Sequence, residues 1–148
     1  MKLHDKTVLI VEPSKHIAQG IRGCLNDMGV TKIYVVSKVS SLKDFTEVTG
    51  VAPRDIDLVL LAHEDTPDKD IQSVQEIFLE AAIIILGHGE QEGVGRSISA
   101  GCHSYLVKPF TFGHLEEHIR FALESRKKGK KRRACFQAEE IVASSNNP

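Results

Sequence analysis

Five short apolar runs recur along the chain, at residues 7–11, 32–36, 58–61, 82–86 and 104–107, and between them apolar residues return every three or four positions. Alternation of these two periods is the signature of βα units wound around a parallel sheet. Within the runs Val, Ile and Leu are nearly continuous, which predicts strands covered by helices on both faces. The first helix is the best marked: Ser14 is its N-cap, Ile17, Ile21, Cys24, Leu25 and Met28 form one stripe, and Gly29 stops it. A second helix is expected over 40–48, with Leu42, Phe45 and Val48 inward and Gly50 and Pro53 ending it. A third over 70–79 places Ile71, Val74, Ile77 and Phe78 on one face. The fourth, over 91–100, is poor in apolar residues and holds Gly93 and Gly95, which predicts a short or mobile helix. The fifth, over 112–126, buries Leu115, Ile119, Ala122 and Leu123.

In open sheets of this kind, functional groups gather beyond the carboxyl ends of the strands, near the point where strand order reverses. Those positions are Glu12 and Pro13, residues 62–65, residues 87–89, and Lys108 with Pro109. Composition adds bounds: 148 residues with 41% hydrophobic content fit one soluble domain with a real core. No run approaches the roughly 18 apolar residues of a membrane span, and the first residues lead straight into a strand, so a cytoplasmic protein is expected. Cys24, Cys102 and Cys135 are odd in number and far apart, which reads as reduced thiols, the first two packed. Charge is unevenly placed. Residues 1–125 hold 12 Lys/Arg against 18 Asp/Glu, a net of −6, whereas Arg126, Lys127, Lys128, Lys130, Lys131, Arg132 and Arg133 put seven cations into eight residues.

The strings TVLIVEPS, DIDLVLLAHE, AIIILG and AGCHSYLVKPF resemble, in order and spacing, the signature segments of receiver domains of two-component response regulators. The resemblance spans residues 5–126 as a receiver-like domain and leaves 127–148 as a basic C-terminal tail. It implies a (βα)5 doubly wound five-stranded parallel sheet of flavodoxin-like topology, strand order 2-1-3-4-5. It also implies a phosphorylation pocket of two acids, an acceptor aspartate, a hydroxyl residue and a lysine, in which carboxylates hold Mg²⁺ and the aspartate attacks a phosphohistidine donor. Against that pattern Glu12 matches the first acid, Pro13 replaces the second, Ala62 stands at the acceptor position and Gly87 replaces the hydroxyl residue; Lys108, Pro109 and the switch aromatic Tyr105 remain. Alanine offers no nucleophile and proline no carboxylate, so phosphotransfer at the family position is excluded, and one matched carboxylate is too few for an ordinary Mg²⁺ site. In the vacated pocket Lys108 is expected to pair with Glu12, Pro109 to carry the family's cis peptide, and Tyr105 to be fixed and packed.

Other groupings weigh less. Glu64 and Asp65, with His63 and His88 nearby, read first as loop residues above a sheet and second as a relocated acceptor or metal cluster. His114 and His118 match an H-x-x-E-H zinc pattern by chance, with no third ligand placed, and are read as partly exposed residues flanking the helix stripe. Gly87, Gly89, Gly93 and Gly95 have the wrong spacing for a dinucleotide fingerprint. Residues 134–143 have helix-compatible composition, with Phe136, Ile141 and Val142 apolar, and suit docking on the body or on a partner. The leading expectation is a non-enzymatic receiver-like adaptor that acts without Asp phosphorylation and needs no cofactor. It would present the fourth helix, fifth strand and fifth helix to a protein partner, a second copy of the chain included. The alternatives are an atypical phosphoacceptor using Glu64 or Asp65, or a nucleic-acid-associated regulator acting through its basic tail, with nonspecific, salt-dependent binding.

Overall fold

The computed structural model of the chain describes residues 3–62 and 67–127. Strands β1 (Thr7–Val11), β2 (Lys32–Val36), β3 (Leu58–Ala62), β4 (Ala82–Gly87) and β5 (Ser104–Val107) form one parallel sheet in the order β2-β1-β3-β4-β5. This is the expected topology, and strand order reverses between β1 and β3, which pair from Val8↔Leu58 to Val11↔Leu61. Helices α1 (Lys15–Asp27), α2 (Phe45–Thr49), α3 (Pro67–Ile77), α4 (Gln91–Ala100) and α5 (Phe112–Lys127) cover the two faces.

Because strand side chains alternate in direction, each strand feeds both layers of core. Val8, Ile10, Leu58, Leu60, Ile84 and Leu86 cluster with Ala18, Ile21 and Leu25 of α1 and with Leu115, Ile119 and Leu123 of α5. The intervening Leu9, Val11, Val59, Leu61, Ile83 and Ile85 cluster with Leu42, Phe45, Ile71, Val74, Phe78 and Val94 on the other face. The edge strand β2 departs from continuous burial, with Lys32 and Val35 exposed.

Helix ends match the capping residues. Ser14 caps α1 by accepting from the Ile17 N–H at 3.2 Å, and the left-handed φ values of Gly29, Gly50 and Gly101 follow α1, α2 and α4. Two inward assignments are corrected. Ile17 is 40% exposed, because the buried stripe of α1 centres on Ala18, Ile21 and Leu25, one position round the helix. Val48 is 80% exposed: residues 39–44 form a 3-10 helix and only Phe45–Thr49 is α-helical. Leu42 and Phe45 lie on one face in the tighter helix, but the change of pitch rotates Val48 off it. The fourth helix, expected to be short or mobile, is not short: it spans its full range and buries Val94 and Ser97. Cys24 is a free, half-buried thiol, whereas Cys102 is fully buried and disulfide-bonded rather than reduced.

Candidate functional site

The pocket at the strand ends is built from β1, β3, β4 and the β5–α5 turn. Glu12 extends β1 by one residue, its N–H donating to the Val36 carbonyl at 3.0 Å. Its side chain is only 3% exposed, and a carboxylate so placed needs a partner. Lys108 supplies it, with Nζ donating to Glu12 Oε1 at 2.9 Å, while Oε2 accepts from the Ser14 N–H at 3.3 Å. The Lys108 backbone N–H donates to the Gly87 carbonyl at 2.8 Å, and the Lys108–Pro109 peptide is cis. The ion pair and the cis peptide are both those expected from the sequence. Ala62 closes β3, half-buried, one residue beyond the Val11↔Leu61 pair and therefore beside Glu12. Pro13 is exposed and Gly87 buried.

Among the described residues the donor set does not fit Mg²⁺. A receiver-type site needs several oxygen ligands, yet Pro13 and Ala62 offer no side-chain oxygen and both Glu12 oxygens are engaged. Among the described residues no group of three His, Cys, Asp or Glu side chains is placed to hold a metal.

Tyr105 is 1% exposed, packed in the layer formed with α2, α3 and α4. Its hydroxyl oxygen accepts from the Gly89 N–H at 3.2 Å, and Gly89 adopts a left-handed φ of 82°. Burial raises the phenol above its ordinary value of 10.0; the Gly89 hydrogen bond partly opposes this and the Glu90 charge adds to it. The ring is thus held inward by a backbone donor two residues beyond Gly87, a partner that side-chain reasoning does not reveal.

Three further polar contacts are not legible in the sequence as such. His118 is 2% exposed, which corrects the reading of both helix histidines as partly exposed; its Nδ1 is hydrogen-bonded to Ser104 Oγ between α5 and β5. A signal for it exists: a histidine beside Leu115, Ile119 and Ala122 on the inward stripe calls for a polar group on the facing strand. His114 is exposed, so the H-x-x-E-H residues do not converge. His103 accepts the Ile83 N–H at Nδ1, 3.0 Å away, satisfying a backbone group at the start of β4. Arg126, grouped with the basic tail by sequence, belongs to the body. Its Nη1 donates to the Asp57 carbonyl at 2.7 Å and lies 3.4 Å from both Asp57 Oδ1 and the Glu80 carbonyl.

His63, Glu64 and Asp65 lie outside the described residues, as do Lys128, Lys130, Lys131, Arg132, Arg133, Cys135 and the apolar residues of the tail. Lys127 is the last residue of α5. Among the described residues no helix is long and apolar enough to cross a membrane.

No model of a known protein family matches the chain, and no curated protein matches it by sequence. Solved structures do match. A response regulator receiver domain protein from Clostridium thermocellum superposes with a TM-score of 0.70 over 84% of this chain and 99% of that one, at 22% identity. The chemotaxis protein CheY4 of Vibrio cholerae gives 0.65 over 79% and 98%, at 17% identity. A LuxR family DNA-binding response regulator from Silicibacter pomeroyi gives 0.67 over 81% and 93%, at 21% identity. The fold is therefore that of receiver domains.

Proposed function

We propose that the chain is a receiver-like signalling adaptor of a two-component, phosphorelay-type system, acting by protein–protein contact without phosphorylation of an aspartate. The observation that carries this reading is the closed Glu12–Lys108 pair beside Ala62. The cation that would meet a phosphoryl group is neutralised, and the residue that would accept the group has no nucleophile. Tyr105, tied inward to Gly89, supports one fixed state of the surface made by α4, β5 and α5. That surface carries the Glu92–Arg96 and Glu116–Arg120 pairs, at 3.0 and 2.9 Å, so the partner meets interspersed charges of both signs. A protein partner, a second copy included, docks there, and the reading assigns the chain no catalytic step.

Incubation with acetyl phosphate and Mg²⁺, followed by intact mass and amide exchange, tests this. No added phosphate and no exchange change over residues 87–105 is the expected result. A single phosphate mapped to residues 63–68 would overturn it in favour of a relocated acceptor, Glu64 or Asp65. The nucleic-acid reading is separated by salt titration with duplex DNA: binding unchanged in a Lys127→Glu/Lys128→Glu/Arg132→Glu variant removes the tail as its agent.

A further inference from the structure

The opposite pole of the sheet carries a concavity of about 380 Å³ lined by Ala52, Pro53, Arg54, Ile77, Leu79 and Glu80. Leu79 on its wall is 77% exposed, an apolar side chain left in water at the mouth of a largely apolar hollow. The fifth helix ends at this hollow. Arg126 in its last turn is hydrogen-bonded to the Asp57 carbonyl at 2.7 Å and lies 3.4 Å from the carbonyl of Glu80, itself a lining residue, so the chain leaves the body at the rim. The lining itself holds Glu80 and Arg54, and Asp55, Asp57 and Glu76 lie close by in sequence, with Arg126 already engaged by Asp57. The carbonyl end of α3 adds its partial negative charge there. The segment beyond Arg126 has the complementary character: a basic run to Arg133, then Phe136, Ile141 and Val142 among small and polar residues.

We propose that residues 127–142 fold back onto this pole of their own chain, the basic run lying against its acids and Phe136 entering the hollow over Leu79. Reach is sufficient, since the nine residues from Lys127 to Phe136 span up to about 30 Å when extended. Two independent complementarities, of charge and of apolar surface, meet at the point where the chain exits. In this arrangement the basic run is withheld from polyanions until salt or a competitor releases it.

The test uses the full chain with its Cys102 disulfide kept intact, at low ionic strength, with limiting trypsin and mass detection, after quenching and reduction, of cleavage between residues 127 and 133. Leu79→Ser and Phe136→Ser should each accelerate cleavage about tenfold, the change expected when one buried apolar side chain is lost from a local opening equilibrium. The double variant should be no faster than the faster single one, because both remove the same contact. Raising salt to about 0.5 M should accelerate the unsubstituted chain as well. Leu79 is exposed in the body and Phe136 lies beyond it, so unchanged thermal melting confirms that neither variant acts by unfolding. Equal cleavage rates in the unsubstituted chain and both variants overturn the proposal. Rates that fall with rising chain concentration also overturn it, since they place the segment on a second copy.

Discussion

At the scale of single residues the pocket works as an electrostatic unit. Glu12 is almost fully enclosed and Lys108 partly open, with side chains 3% and 18% exposed, so the carboxylate depends on the lysine more than the lysine on it. Lys108→Met leaves a buried charge without its cation and should lower stability by about 2–3 kcal/mol, less than a fully buried pair because water reaches the lysine side. Glu12→Gln should cost less, since it leaves no buried charge: the amide oxygen still accepts from Lys108, and only the weaker bond from the Ser14 N–H is lost. Urea titration of both singles and the double closes the cycle. A double variant near the Glu12→Gln level marks the pair as the source of the Lys108 effect, and strict additivity refutes the coupling. The pair is legible in sequence because chemistry at the strand ends is written in side chains. The Gly89 contact to Tyr105 is not, because its donor is a backbone N–H placed by a left-handed glycine.

At the scale of elements, the strands and the stripes of α3 and α5 are readable from period alone, since long buried faces leave a redundant pattern. The stripe of α1 lies one position from where its larger apolar residues place it, because Ala18 is too small to stand out although it is 3% exposed against the sheet. In the second helix Val48 escapes a periodicity argument because such an argument presumes one pitch throughout. Arg126 closes the fifth helix in the sequence reading yet is counted with the basic run, because charge density says nothing of which carbonyls lie within reach. Helix α4 shows where local preference and tertiary packing disagree: its glycines disfavour a helix, yet Val94 and Ser97 are buried and hold it. A Cβ added at Gly95 meets nothing within 4 Å. Gly95→Ala should therefore stabilise the protein by about 0.5–1 kcal/mol through backbone entropy alone, read as a raised denaturation midpoint at unchanged slope. A destabilised variant would mean that the helix needs a conformation alanine resists.

At the scale of the molecule, the core that sustains the sheet is separate from the residues that receivers use for phosphotransfer. Both core layers are complete without an acid at position 13 or 62, so the sheet and its helices do not depend on those positions, in keeping with a fold shared with receiver domains at identities as low as 17%. The separation predicts how far function can be rebuilt by substitution. Ala62→Asp places a nucleophile at the end of β3, beside Glu12 and across β4 from Lys108. The lysine nevertheless stays engaged with Glu12, and no acid at position 13 draws Mg²⁺ toward the incoming phosphoryl group, so acetyl phosphate should label this variant only slowly. Adding Pro13→Asp supplies the missing metal ligand and should raise the labelling rate by about a hundredfold, the size of one preorganised electrostatic contact in a transition state. Time courses of intact mass with and without Mg²⁺ read both steps, and the gain should disappear when the metal is removed. Equal, metal-independent labelling of the single and double variants would show that position 62 alone separates this pocket from a working one, and the Glu12–Lys108 pair would then be an incidental closure rather than part of a rebuilt resting state.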